Sequence, residues 1–518
     1  MKLRSLLPAT CALLCTLQTA PPTLTHAGGR VIIDMTAPAA RRAMSEQDLA
    51  GALDILDCNG ITHRARILVE TSLLPRLAAM DISFTISKDE NAVNDILIDE
   101  QYLDYDEVTG LLATYASTHP SIARLSTLAV TAEGRSIRAL KLTDNPDELE
   151  DEPRMLFAGL LGAREIMSVE IIMDMVNYLL NNYPSDPQVQ EWINGTEIWL
   201  IPMLNPDGNE YCWTTDPFWV KNRRNNGDGT HGVNLNRNFP FMWGECFGSS
   251  ASPSSSTYRG PEPASEPEIA GLMALASERP FTCALFYHSF NEMVLVPYGC
   301  RDIDVPDRSG LLRVGSEVAQ NIQRESGTFG YDAGVWWEML YGADGTALDW
   351  LYADHGTIAM AIQVNASSFH PPYSIRNQTV QRNRPGWQKV LSLHQECAVA
   401  RIKVKDACTN MPLGAVLTID EIPMENGEQA RCSSPPYGRY TWPLGSGTYH
   451  LRATREGYGA RMKPIIMGTE PQEVICALVS TGDHALFYQL HQINDQMGDN
   501  DYLLDPGETA FVPIAVTA

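Results

Sequence analysis

The chain has 518 residues, 44% apolar and 19% charged, a globular composition long enough for more than one hydrophobic core, which excludes a disordered or collagen-like chain. Acidic residues outnumber basic ones 63 to 38, giving a formal charge of −25, so no nucleic-acid partner is expected and the charge disfavours an anionic membrane surface. Past the first two dozen residues there is no apolar run of about 18, so no transmembrane anchor is expected.

In chain order, Lys2 and Arg4 precede the apolar stretch Leu6–Leu17, and small residues follow at Ala20 and Ala27. Residues 1–27 therefore read as a cleaved signal peptide, which predicts a secreted, periplasmic or cell-surface protein. Leu14 before Cys15 is too large for a typical lipoprotein anchor. Of the eleven cysteines, Cys11 and Cys15 leave with this segment. Export predicts disulfides among the remaining nine, the odd number leaves at least one thiol over, and the spacing does not give the pairing.

Residues 28–98 carry short strand-like runs at Val31–Ile33 and Ile67–Val69 among helical patches, a small α+β region. From 99 to 398, strand-like runs (Met155–Leu161, Ile198–Met203, Cys283–Tyr287, Ile358–Val364) alternate with helical ones (Val169–Leu180, Glu266–Ser277, Leu311–Glu325). That alternation predicts an α/β mixed sheet with helices on both faces. Ser265 and Glu268 around Pro267 have the spacing of a capping box, and the serine-rich stretch Ser249–Ser256 reads as a loop. Residues 399–482 hold only short strands (Ala400–Val404, Val416–Ile419, Thr448–Ala453, Val474–Val479) between Gly/Pro turns, predicting a small all-β sandwich. Residues 483–518 combine an acidic turn (Asp495, Asp499, Asp501, Asp505, Glu508) with a strand-like end, the start of an incomplete β-domain or a tail. The acidic spacing is not that of an EF-hand, so it reads as a solvated loop.

No H-E-x-x-H, G-x-S-x-G or P-loop pattern is present, so any chemistry must be assembled from distant segments. The informative segments are GLLGAREIMS (Gly159–Ser168), IPMLNPDGNEY (Ile201–Tyr211), KNRR (Lys221–Arg224), GVNLNRNFP (Gly232–Pro240), TYRGPEPASEPE (Thr257–Glu268), FYHSF (Phe286–Phe290), MLYGADGTALDW (Met339–Trp350) and AMAIQV (Ala359–Val364). In wording and order they resemble the zinc metallocarboxypeptidases of the carboxypeptidase A/B type, the funnelins. The region before them looks like that family's propeptide, and residues 399–482 look like the transthyretin-like domain that often follows.

The resemblance implies a zinc ion held by two His and one Glu, with an open position for the attacking water and a separate Glu as base. Glu165 matches the zinc Glu and His288 the second His; the position of the first His is Gly162. No histidine of the chain is followed three residues later by Glu, so no shift of register supplies the missing ligand. A lone histidine is ordinarily structural, and for His288 it is the motif around it that favours the match. The Asp that orients a zinc-bound His matches Asn234, which carries no charge. The catalytic Glu matches Gln363, a carboxamide that is no base at neutral pH.

The recognition residues are better kept. Asn236, Arg237 and Tyr341 match the binders of the substrate's C-terminal carboxylate, Arg223 the Arg that stabilises the oxyanion, and Arg164 a subsite Arg. The alternative for Arg237 is an internal ion pair. Leu348 matches the pocket floor, implying an apolar last residue, although Thr346 and Ala347 beside it depart from the usual Gly-Ser. Phe290 stands where many members have Tyr and Val220 where some have Arg. The sequence thus predicts a secreted pseudo-peptidase that binds peptide or protein C-termini or serves as a structural ectodomain, with zinc weak or absent. Its alternatives are an active zinc carboxypeptidase using a substitute ligand and base, and another hydrolysis using Glu165 or Tyr341.

Overall fold

The computed structural model describes residues 29–481, except 45, 47–48, 50–51, 60, 89–97, 367, 394–396 and 435–436. The expected signal peptide and the acidic turn with its closing strand lie outside the described residues.

The N-terminal region is a four-stranded antiparallel sheet in the order β2-β3-β1-β4, formed by β1 (Arg30–Thr36), β2 (Leu53–Asn59), β3 (Arg64–Glu70) and β4 (Phe84–Lys88). Its buried residues, including Ile33, Ala40, Leu53 and Ile67, form an apolar cluster of their own.

The central sheet has eight strands in the order β11-β10-β12-β9-β7-β8-β6-β5. The outer pair β5 (Ala123–Val130) and β6 (Ser136–Leu142) is antiparallel, with partly exposed residues interspersed as expected at a sheet edge. Next come β7 (Arg154–Gly159) and β8 (Glu197–Ile201), then β9 (Cys283–Ser289) and β10 (Met293–Val296), and last β11 (Asp332–Val335) and β12 (Ile358–Val364). Every residue of β7, β9 and β12 is buried, which is why they read as continuous apolar runs rather than alternating ones. The three lie side by side and parallel, so their carboxyl ends share one edge, where open α/β sheets place ligands. Helices Ile166–Asn182, Pro267–Glu278, Arg308–Gln320 and Arg376–Leu391 bring most of the remaining core.

One expectation about a helix start fails. The N-cap of Pro267–Glu278 is Glu266 and no side chain caps it. Ser265 Oγ donates to Glu266 instead, and Asn222 Nδ2 draws away both Glu266 (2.7 Å) and Glu268 (3.2 Å).

The β-rich C-terminal region has two sheets around one apolar cluster. The first, β16-β13-β19, is made of β13 (Ala400–Asp406), β16 (Arg439–Trp442) and β19 (Gln472–Leu478). The second, β15-β14-β17-β18, is made of β14 (Val416–Ile419), β15 (Arg431–Cys432), β17 (Gly447–Thr454) and β18 (Arg461–Met467). This region is docked tightly: a Cβ at Gly310 would fall 1.8 Å from the Pro443 carbonyl oxygen. Buried Asp307 accepts from Trp442 Nε1 at 3.0 Å and from the Tyr352 hydroxyl at 2.6 Å. Among the described residues no helix is long and apolar enough to cross a membrane, and one disulfide, Cys246–Cys300, forms.

Candidate active site

The turn after β7 presents Glu165. Ser168 Oγ accepts from the Leu160 amide (2.9 Å) and donates to the Glu165 carbonyl (2.5 Å), while Asn209 Nδ2 holds the Ala163 carbonyl at 2.9 Å. These bonds hold the Leu160–Glu165 turn against the helix that follows. His288 sits near the end of β9, and the parallel register pairs it with Gln363 on β12. All three residues are buried and line one cavity of about 80 Å³.

His288 Nδ1 lies 2.9 Å from Glu165 Oε2. A Cβ built at Gly162 would come within 2.8 Å of Glu165 Cδ and 3.0 Å of both its carboxylate oxygens. The acid therefore occupies space that a side chain at 162 would use. His288 Nε2 is buried without a hydrogen-bond partner, and its ring stands edge-on to Trp336 at 5.9 Å. Asn234 does not reach it: Asn234 donates to the Ser256 carbonyl (2.9 Å) and accepts from the Asn236 amide (3.1 Å).

A zinc site of the three-ligand kind needs three converging donors and an open position. Here two donors converge and face each other, so the residues present do not fit that site. Among the described residues one set of three carboxylates gathers, Asp144, Glu150 and Glu152, without a histidine. It lies on the loop leading into the amino end of β7, at the opposite edge of the sheet. Burial pushes the Glu152 carboxyl up to about 7.

Asn236, Arg237 and Tyr341 are brought together. Asn236 Oδ1 accepts from the Ala347 amide at 3.0 Å, and Arg237 donates to the carbonyls of Gly248 (2.9 Å) and Asn236 (2.6 Å), with its guanidinium 6.0 Å from the Tyr341 ring. No carboxylate accepts from Arg237 among these bonds. Gly345, at φ 62°, lets the loop pass so close that a Cβ would lie 2.5 Å from the Arg237 carbonyl oxygen. Burial pushes the Tyr341 phenol up, and the nearby Arg237 and Arg164 pull it back.

Arg164 is not free for a ligand. Its guanidinium makes a bidentate pair with Asp54 of β2, at 2.6 and 3.1 Å, and lies 4.3 Å over the Phe369 ring. Burial alone would lower its pKa, and the Asp54 carboxylate more than offsets this. Asp54, Ile55, Leu56 and Cys58 line the cavity from the N-terminal side. Leu56 shares an apolar cluster with Phe218, Phe290 and Phe369. No sequence motif flagged these residues, because they belong to a strand that looks like any half-buried one.

Two further site candidates are not among the residues lining this cavity. Arg223 does not line the cavity: it stacks 3.7 Å over Tyr211 and 4.9 Å from Trp219, and pairs with Glu133 at 3.8 Å. Cation–π stacking on Tyr211 and Trp219 holds it there. Leu348 is wholly buried in the central core and is likewise absent from the lining, whose apolar wall comes from Trp336, Leu340, Phe290 and Phe369. Trp336 precedes the matched segment Met339–Trp350, and Leu340, inside it, was given no role of its own.

The family model for zinc carboxypeptidases (peptidase M14) matches residues 108–386, more than half of the chain. The chain belongs to this family. It is 30% identical over 319 residues to a zinc carboxypeptidase of Saccharothrix mutabilis subsp. capreolus, covering 57% of this chain and 70% of that protein. Identity to carboxypeptidase B of Astacus astacus is 30% over 260 residues, 49% of this chain and 83% of that one. Carboxypeptidase A2 of Rattus norvegicus is 28% identical over 273 residues, and there the chain spans 64% of the relative. The fold is similar to that of the crystal structure of carboxypeptidase A from Helicoverpa armigera, with a TM-score of 0.61 at 21% identity over 70% of this chain and 96% of that one.

Proposed function

We propose that this protein is a secreted pseudo-peptidase of the carboxypeptidase family that holds peptide or protein C-termini without efficient hydrolysis. The observation that carries the reading is the direct Glu165–His288 contact over Gly162, with Gln363 facing the same cavity. Two donors satisfied on one another leave no third protein ligand for a metal, and the carboxamide of Gln363 neither takes a proton from water nor hands one to a leaving amine. Zinc binding is accordingly weak or absent in this proposal.

Recognition rests on Asn236, Arg237 and Tyr341. A guanidinium with remaining donors beside a phenol suits the planar carboxylate of a chain end. The apolar lining, from Trp336 and Leu340, favours an apolar last residue. The N-terminal region, about residues 28–98, acts in this reading as a propeptide-like cover whose Asp54 occupies Arg164. The β-rich region, about 399–482, is proposed as a transthyretin-like sandwich, and the leader 1–27 as the export signal.

The test is calorimetric titration of matched peptides ending in Phe as free acid or as amide, into the full chain and into Asp54→Ala. The acid should bind without turnover, more tightly to Asp54→Ala, and lose at least about 2 kcal/mol on amidation or in Arg237→Ala. Equal affinity for acid and amide would show that the carboxylate clamp is not used.

A further inference from the structure

Tyr298, fully buried just after β10, is the point where the β-rich region meets the wall behind the candidate clamp. Its ring stacks on Phe241 at 5.3 Å, at the end of the segment that begins with Asn234 and carries Arg237. Its carbonyl accepts from the Trp337 amide at 3.3 Å, and the next carbonyl, of Gly299, accepts from Ala343 at 2.8 Å. Residues 298–299 therefore grip the stretch containing Tyr341 on both sides. The Gly299 amide is in turn fixed on the Asp349 carboxylate at 2.9 and 3.0 Å.

A buried tyrosine hydroxyl needs a partner, and this one donates to Glu428 Oε1 of the β-rich region at 2.6 Å. The receiving loop is itself fixed. Glu428 Oε2 accepts from the Asn426 amide at 2.7 Å, and the Gln429 amide donates to the Ala353 carbonyl at 2.9 Å.

We infer that Glu428 is a positioning residue: by holding the Tyr298 hydroxyl it sets the segments that carry Arg237 and Tyr341, so the β-rich region is a working part of the binding site. The ligand half of this inference rests on the proposed function. The positional half does not.

The experiment uses Tyr298→Phe, Glu428→Ala and Glu428→Gln in the full chain, with amide hydrogen exchange and titration of the free-acid peptide. Tyr298→Phe keeps the ring and removes the hydroxyl; Glu428→Gln keeps an acceptor and should rescue. Expected are faster exchange at Trp337 and Ala343 in Tyr298→Phe and Glu428→Ala, near-normal exchange in Glu428→Gln, and a peptide Kd raised about two- to thirty-fold. The matching amide peptide should be unaffected. Exchange changes confined to residues 420–432, or an unchanged Kd in a chain that binds the peptide, would overturn the inference. If the unmodified chain binds no acid peptide, the functional reading fails, and unaltered exchange at Trp337 and Ala343 then overturns the positional claim on its own.

Discussion

A histidine restored at position 162 would have to displace the Glu165 carboxylate, since the two claim the same space. Even so, a single reversion would leave Asn234 turned to Ser256 and Gln363 unable to act as base. Elemental analysis of purified protein is expected to find less than one zinc per chain, and Gly162→His alone should change this little. The triple change Gly162→His, Asn234→Asp, Gln363→Glu should bind zinc and cleave a substrate ending in Phe or Leu about 10²–10⁴ faster than the double change lacking Gln363→Glu. Stoichiometric zinc in the unmodified chain after dialysis against a mild chelator would refute this account. Gly162, Glu165, His288 and Gln363 could be singled out because the segments around them resemble the family's ordered motifs, and the structure lines one cavity with all four. The packing of Arg223 and Leu348 was not legible: the first stacks on Tyr211 and Trp219 and pairs with the distant Glu133, and the second is buried in the central core.

At the scale of elements, β7, β9 and β12 could be read from sequence to within a few residues, since fully buried parallel strands leave continuous apolar runs. The capping box before Pro267 could not be judged, because Asn238 and Asn222, brought in by the tertiary fold, donate to Ser265 and Glu268. Nor could the pairs that tie the N-terminal sheet to the central region, Asp54 of β2 with Arg164 and Arg30 of β1 with Asp216 at 3.0 Å. Removing one partner of a buried, hydrogen-bonded pair costs about 2–5 kcal/mol, and the part exposure of Asp54 puts it toward the low end. Asp54→Ala should therefore raise amide exchange and limited proteolysis across β1–β4 while leaving β7, β9 and β12 protected. Uniform loss of protection across both regions would mean the N-terminal sheet is not separately held.

For the molecule as a whole, buried carboxyls shape the response to pH. Burial pushes both Glu268 and Asp349 up to about 7, with Glu266 and Asp207 adding to the effect at Glu268 and Asp344 at Asp349. An acid whose pKa is raised on folding holds its proton better in the folded chain, so its contribution is full below the unfolded value and is lost as pH rises through about 7. Glu268→Gln removes that loss. Its melting temperature relative to the unmodified chain is expected to increase from pH 5 to pH 8, and a difference independent of pH would count against a buried, titrating Glu268.

Tyr341 belongs to two places at once: it faces the cavity, and it packs against the apolar cluster of the N-terminal region. In the proposed reading, a guest that pulls on this ring also pulls on the apolar cluster of the N-terminal region, which then acts as the cover of the site. Occupancy and closure then become competing states of one equilibrium, and by reciprocity each weakens the other by the same factor. A bound chain end would thus act as a local denaturant of the N-terminal sheet. In that reading the guest would be registered in the order of β1–β4.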